Sequence, residues 1–371
     1  MKTILFFYRD LGNGGVQKNM LRLAEGLVQR GWRIEFLIAR TENMEFAVPE
    51  GVLVHRAASA NPWQLVWALA RMIDRDKPDA IYTAMPNYNC AALVARMLAR
   101  HKPKIIISER SDTRAERRQG RFDWYGLSLR LAPWLYTRAD RILAVSEETA
   151  DSLAAASGIA RDRIVVLHNP VVSEALEKAA AQPLHHEWVE GPYRLLVAVG
   201  RLAPQKDFAT LLRAFALLHE KRAEARLVII GGGEERTQLE ALAAELDVDQ
   251  AVDFIGFDAN PYRWMARADV FVLTSLWEGL PTVIIEALAC GATIVATDSP
   301  SGPAQIIGRD GTLGYLAPIG DAQAIAEKLD YALDHKLDPD ALRAASRQYS
   351  SGNSVAQFEE ILLDLLPKYK N

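Results

Sequence analysis

Short runs of β-branched and aromatic residues alternate along this chain with longer stretches in which apolar residues recur at i, i+3 and i+4. The first pattern suits strands buried on both faces and the second amphipathic helices, so the alternation predicts βα units and parallel sheets. The first series of predicted strands is 3–8, 33–38, 53–56, 80–83, 104–108, 141–145 and 164–167. After His168-Asn169-Pro170 the pattern stops, and residues 173–190 carry alanines, charges, two histidines and Pro183 without a strand. A second series follows at 193–199, 226–230, 252–255, 270–273, 293–296 and 313–316. The expected fold is α/β, with two Rossmann-like, doubly wound parallel-sheet domains. Residues 1–172 form the first, 173–190 a linker and 191–371 the second, with the last helix, about 355–366, packing back on the first domain. Open α/β sheets bind ligands beyond the carboxyl ends of their strands, which places the expected site in an interdomain cleft.

Composition narrows the class. A chain of 371 residues, 50% hydrophobic and 24% charged, is long enough for two cores. No stretch reaches the roughly 20 apolar residues of a membrane span. The opening MKTILFFYRD meets Arg9 and Asp10 too soon for a signal-peptide core, and reads as a buried first strand. Cys90 and Cys290 have no metal-like spacing, so neither a disulfide framework nor a zinc site is expected. The expected location is cytoplasmic, in association with the cytoplasmic face of the inner membrane. Charge is uneven: residues 1–180 hold 26 Lys and Arg against 20 Asp and Glu, the rest 17 against 27. A basic first half suits phosphates or an anionic bilayer.

Three stretches carry candidate chemistry. The first strand runs into Gly12-Asn13-Gly14-Gly15 and then a helical pattern. Gly14 and Gly15 would let a phosphate approach the free N–H groups of a helix N-terminus; a tight turn is the alternative. A dinucleotide fingerprint is excluded, because it needs glycine where Gln17 stands. The second stretch, VGRLAPQKD, places Arg201 and Lys206 in the loop after a strand. Cations aimed at a departing nucleoside diphosphate stabilise its developing charge, as a divalent metal does elsewhere, so no metal or cofactor is expected. Two solvated loop charges are the alternative reading.

The third stretch, SLWEGLPTVIIE, sets Glu278 before a helix with Pro281 as its first residue, and Glu286 in the second turn. Between positions 281 and 286 a helix rises about 7 to 8 Å. That offset suits one carboxylate to sugar hydroxyls and the other to ribose hydroxyls, with the N–H groups of Gly279, Leu280 and Thr282, on either side of Pro281, near the diphosphate. Glu278 also reads as an exposed loop acid, whereas Glu286, inside VIIEALACG, needs a partner to be buried. The Asp-x-Asp triplets at 74–76, 247–249 and 338–340 follow no strand end and read as surface acids, and the histidines show no metal-ligand spacing.

Together these stretches, with FFYRDLGNGGVQ, IIGGGEE, DFIGFDANPY and TDSPSGPAQII, resemble the family 4 glycosyltransferases of the GT-B fold over nearly the whole chain. Within that family the chain is similar to bacterial enzymes of surface-polysaccharide, lipopolysaccharide or lipid-linked-glycan assembly. The resemblance implies a retaining transferase that moves a hexose or N-acetylhexosamine from a UDP-sugar to a lipid-linked or saccharide acceptor. It implies that Arg201 and Lys206 bind the diphosphate, Glu278 the donor sugar and Glu286 the ribose. Gly14 and Gly15 would meet the donor phosphate and the acceptor, and the backbone at Ile255 and Gly256 the base. Several relatives carry a His in the loop after the fifth strand. Here that loop reads Ser108-Glu109-Arg110-Ser111-Asp112, so Glu109 stands as a fourth catalytic candidate beside Arg201, Lys206 and Glu278, or else pairs with a loop group such as Arg110.

Residues 110–141 hold eight arginines against four acids, together with Trp124, Tyr125, Trp134 and Tyr136. With Trp63 and Trp67 they could form a face for peripheral contact with an anionic inner membrane, or the aromatics could be core. Nucleic acid is not an expected partner, since the chain holds no recognisable module for it. A nucleotide-sugar epimerase or hydrolase, and a non-catalytic sugar-nucleotide-binding scaffold, are the competing functions.

Overall fold

The computed structural model describes residues 2–12, 14–39, 47–59, 61–110, 113–118, 123–300 and 302–366. Asn13, Ser111, Asp112, Ser301 and the side chain of Arg118 lie outside the described residues. The chain divides into two units, 1–170 with 351–371, and 171–350.

The first unit holds strands β1 (Thr3–Tyr8), β2 (Arg33–Ile38), β3 (Val52–Arg56), β4 (Ala80–Ala84), β5 (Lys104–Glu109), β6 (Arg141–Ala144) and β7 (Ile164–Val166). They form one parallel sheet in the order β3-β2-β1-β4-β5-β6-β7. Both faces are covered, which is why β1 is an unbroken run of large apolar and aromatic side chains from Ile4 to Tyr8. Leu5 and Phe7 enter one core, while Ile4, Phe6 and Tyr8 enter the other. Local signals set the helix ends. Ser146 accepts the Thr149 N–H at 3.1 Å to start helix Glu147–Ser157, and Gly158 ends it at φ 72°.

The last described helix, Ser351–Leu365, belongs to this first unit. Val355, Phe358 and Leu362 are buried in the core that holds Ile4 and Phe6, each side chain worth about 1.5–3 kcal/mol when fully removed from water. The Phe358 ring lies 4.9 Å from that of Tyr82. Gly26 lets the helix Gly15–Gln29 come close, since a Cβ there would stand 2.5 Å from Val355. Glu359 accepts from Trp32 at 2.8 Å and from Arg30 at 2.9 Å.

The second unit holds β8 (Arg194–Val199), β9 (Ala225–Ile230), β10 (Val252–Gly256), β11 (Val270–Leu273), β12 (Thr293–Thr297) and β13 (Tyr315–Ala317). Its parallel order is β10-β9-β8-β11-β12-β13. Residues 173–190, read above as a linker, are part of this unit. Ser173 caps a helix, Glu174–Ala180, that rests on helices Tyr262–Met265 and Thr282–Cys290. Seven residues with Leu176 alone buried are too short to display a helical period. Asn260 donates to the Ala179 carbonyl at 3.0 Å and Arg267 to that of Gln182 at 3.0 Å.

Strand order reverses between β1 and β4 in the first sheet, and between β8 and β11 in the second. Connections leave these neighbours in opposite directions and open a crevice at their carboxyl ends.

Candidate active site

At the switch point of the second unit, the loop after β8 lies between the loops after β9 and β11. On the β9 side, Gly200 N–H donates to Ile230 O at 3.0 Å and Leu202 N–H to Gly232 O at 2.9 Å. The chains approach backbone to backbone. A Cβ on Gly231 would stand 1.9 Å from the Gly200 carbonyl oxygen, and one on Gly233 2.1 Å from that of Leu202. On the β11 side, the Thr274 hydroxyl donates to the carbonyls of Lys206 and Asp207 at 3.0 and 3.1 Å. Leu276 N–H donates to Gln205 O at 2.9 Å, and the Gln205 amide to Trp277 O at 2.8 Å. Asp207, at φ 49°, caps the helix Phe208–His219 by accepting the Thr210 N–H at 3.2 Å. The loop bearing Arg201 and Lys206 is therefore held from both sides, a preorganised mount for charge.

Lys206 and Glu278 form an ion pair, with side chains 18% and 9% exposed. The ammonium meets Oε1 of Glu278, and the Ser275 hydroxyl donates to the same oxygen at 2.6 Å. The other oxygen, Oε2, has no protein partner among the described residues. Arg201 is exposed, and it makes no ion pair or hydrogen bond with any of the described residues. One cation is thus neutralised locally while the other is open.

Glu286 lies on the nine-residue helix Thr282–Cys290, buried like its neighbours. Tyr262, also buried, donates its hydroxyl to Oε1 at 2.8 Å, supplying the partner that the apolar run requires. Burial, and then the charge of Glu286, push the Cys290 thiol up to about 12. Pro281, read above as the first helical residue, is instead the N-cap, with ψ 87°, and the helix begins at Thr282. Its ψ is not helical, so the turn that carries Gly279 and Leu280 runs one residue further. No side chain caps the helix. Ile255 and Gly256 end β10, half-buried, and the Gly256 carbonyl accepts the Gly231 N–H at 2.8 Å. Phe257, next in the chain, is 58% exposed. Arg201, Lys206, Ile255, Gly256, Glu278 to Thr282 and Glu286 therefore all lie on the second unit, after β8, at the end of β10, or on the loop and helix after β11.

Gly14, Gly15 and Glu109 lie on the first unit. Gly14 is the N-cap and Gly15 the first residue of helix Gly15–Gln29, again without a side-chain cap. Asp10, buried, steadies this turn by accepting from Gly12 N–H at 3.2 Å and from the Gln17 amide at 2.8 Å. Glu109 is 1% exposed. Its Oε1 accepts from the Tyr136 hydroxyl and, at 3.1 Å, from the Asn89 amide; among the described residues Arg110 is not its partner. Burial first, then the charge of Glu109, hold the Tyr136 hydroxyl well above its usual range. Tyr136, counted among the aromatics of a possible membrane face, is fully buried, whereas Trp63, Trp67 and Trp134 are more than half exposed.

Among the described residues no group of three or more His, Cys, Asp or Glu could hold a metal ion, and no helix is long and apolar enough to cross a membrane. Ser275 and Tyr262 were not foreseen as part of the site. Both lie inside motifs quoted above, but only tertiary contact shows which carboxylate each serves.

Two family models match the chain, the glycosyl transferase 4-like domain over residues 14–170 and glycosyl transferases group 1 over residues 185–349. The N-acetylgalactosamine-N,N'-diacetylbacillosaminyl-diphospho-undecaprenol 4-alpha-N-acetylgalactosaminyltransferase of Campylobacter jejuni is 31% identical over 368 residues, which cover 96% of each chain. Among solved structures, Anabaena HepE in complex with UDP and glucose superposes with a TM-score of 0.79 at 21% identity, covering 98% of this chain and 100% of that one. Sucrose-phosphate synthase of Thermosynechococcus elongatus superposes at 0.83 with 19% identity, covering 99% and 100%. The two Rossmann-like sheets are those of the GT-B fold, and the chain belongs to the family 4 glycosyltransferases.

Proposed function

We propose that this glycosyltransferase moves a hexose or N-acetylhexosamine from a UDP-sugar to a lipid-linked or saccharide acceptor, with retention and without a metal, in bacterial surface-glycan assembly. The observation that carries this reading is the Lys206–Glu278 pair, fixed by Ser275 at the switch point of the second sheet, with open Arg201 in the loop after β8. The ammonium stands ready to turn from carboxylate to diphosphate when a donor arrives. Glu278, still held by Ser275, then accepts hydrogen bonds from the sugar, and Glu286 accepts them from the ribose. As the bond from the anomeric carbon to phosphate oxygen breaks, charge grows on the diphosphate, where Arg201 and Lys206 stabilise it. The acceptor oxygen bonds that carbon from the same face, and its proton passes to the departing phosphate oxygen. Glu109, interior and held by Tyr136 and Asn89, acts in this reading by positioning the loop after β5.

Two relatives support the choice of substrates. The Campylobacter enzyme is named for a diphospho-undecaprenol-linked acceptor, and HepE was solved with UDP and with UDP-glucose. A peripheral contact with anionic lipid fits the exposed Trp63, Trp67 and Trp134, the last with Arg138 stacked 3.8 Å over its ring. Transfer from a panel of UDP-, GDP- and ADP-sugars, with the anomeric configuration of the product read by NMR, tests the reading. Lys206→Ala and Glu278→Gln are each expected to lower transfer about a hundredfold or more while the far-UV spectrum stays native. Near-normal turnover in either removes the assigned roles, and rapid isomerisation or full hydrolysis without acceptor favours an epimerase or hydrolase.

A further inference from the structure

Arg110 has no task in the reaction as described so far. It follows β5 at the carboxyl end of the first sheet, where open α/β sheets meet their ligands. One Nη donates to Asn169 and the other to the Tyr82 hydroxyl, while Nε is buried with no partner among the described residues. Asn169 and Tyr82 are themselves buried, so the guanidinium is anchored from beneath by two neutral groups. No carboxylate among the described residues pairs with it. Withdrawing a cation from water without a counter-charge is unfavourable, and proteins normally answer such a charge with an anion. Arg110 as a whole residue is only half-buried, so an incoming group can still approach it.

The surroundings have the same sign. The hydroxyl of Tyr8, at the end of β1, feels the positive charge of both Arg9 and Arg110. Arg9 has a carboxylate partner, Asp10, at 2.7 Å. Among the described residues whose charge Tyr8 feels, two guanidiniums therefore stand against one carboxylate. The planar guanidinium, its two ends fixed by Tyr82 and Asn169, keeps further N–H donors for an oxyanion, a geometry that favours phosphate over a neutral saccharide.

We propose that Arg110 binds a phosphate group of the acceptor, which makes a phosphate ester or diphosphate ester, rather than a free saccharide, the substrate of the first unit. This rests on the reading of the chain as a transferase to lipid-linked acceptors, and it adds the group by which such an acceptor is held. The donor diphosphate is the other possible source of the anion, and the measurements separate the two.

The first measurement needs no active enzyme. In the full chain carrying Arg201→Ala and Lys206→Ala, which strips the second unit of its two cations, inorganic pyrophosphate is titrated calorimetrically. Binding is expected, weakened roughly ten- to a hundredfold by adding Arg110→Gln and partly kept by Arg110→Lys. No binding in the reference chain, or equal binding by Arg110→Gln, overturns the proposal. So does a lowered melting temperature with unchanged pyrophosphate affinity, the signature of a residue that only braces Asn169 to the sheet. The second measurement uses transfer by the otherwise native chain. Arg110→Gln is expected to raise KM for a polyprenyl-diphosphate saccharide by a similar factor and leave KM for the nucleotide-sugar unchanged; a rise in donor KM instead overturns the acceptor assignment. If the chain transfers no sugar at all, the proposed function falls while the pyrophosphate result still decides the anion site.

Discussion

Replacing Tyr262 with phenylalanine removes one hydroxyl and little else. That hydroxyl donates to Oε1 of Glu286 at 2.8 Å, and the two residues are 5% and 7% exposed, so water does not screen the contact. A hydrogen bond to a charged group contributes about 1.5–3 kcal/mol. Glu286 has a further contact within the protein, so the low end applies. The carboxylate would lose the group that orients it, and the ribose would meet it less well. About 1.4 kcal/mol corresponds to a tenfold change in affinity. Tyr262→Phe is therefore expected to raise Kd for UDP, and KM for the donor, about tenfold, with kcat nearly unchanged because the ribose is bound alike before and during transfer. Calorimetric titration with UDP and steady-state kinetics measure the two quantities. UDP affinity within twofold of native would refute the claim that Tyr262 sets Glu286 for the ribose, and a loss confined to kcat would move Glu286 towards the reacting carbon.

Other outcomes follow from the same geometry. Gly231→Ala places a Cβ against the Gly200 carbonyl at a backbone φ of 144°, so it should cost about 3 kcal/mol or more and lower the melting temperature together with nucleotide binding; a native melting curve would contradict that packing. Cys290, raised to about 12 by burial, stays a thiol when folded and ionises from its ordinary range near 9 when unfolded. Its stabilising contribution is full below about pH 9 and lost as pH rises towards 12. Titrating the midpoint of urea unfolding from pH 8 to 11 should show a decline that Cys290→Ala reduces, and an unchanged slope in that variant would count against the assignment. Serine in place of Trp63, Trp67 and Trp134, all exposed, should leave the fold intact but weaken co-sedimentation with anionic vesicles; retention equal to that of the native chain would remove the membrane face.

Much of the fold was legible because a parallel strand buried on both faces leaves a continuous apolar run, as residues 4–8 and 105–107 do, and each of the thirteen described strands lies within two residues of a predicted one; β3, with Leu53 exposed, shows the pattern least. Glycine spacing was legible too, since IIGGGEE occurs where a Cβ would strike the neighbouring loop. The charged residues after β8 and β11 could be named as candidates because strand ends are where these sheets meet ligands. Sequence could not give their pairing. That Lys206 rests on Glu278, that Ser275 shares the same oxygen, and that Tyr262 serves Glu286 from 24 positions away follow from which strands become neighbours in the sheet. Nor could it show that Glu109 lies inside while Arg110 lacks a carboxylate among the described residues. Periodicity records which face of an element is apolar. Which partner covers that face, and whether a charge beside it meets water, an acid or only neutral groups, is decided when the chain closes on itself.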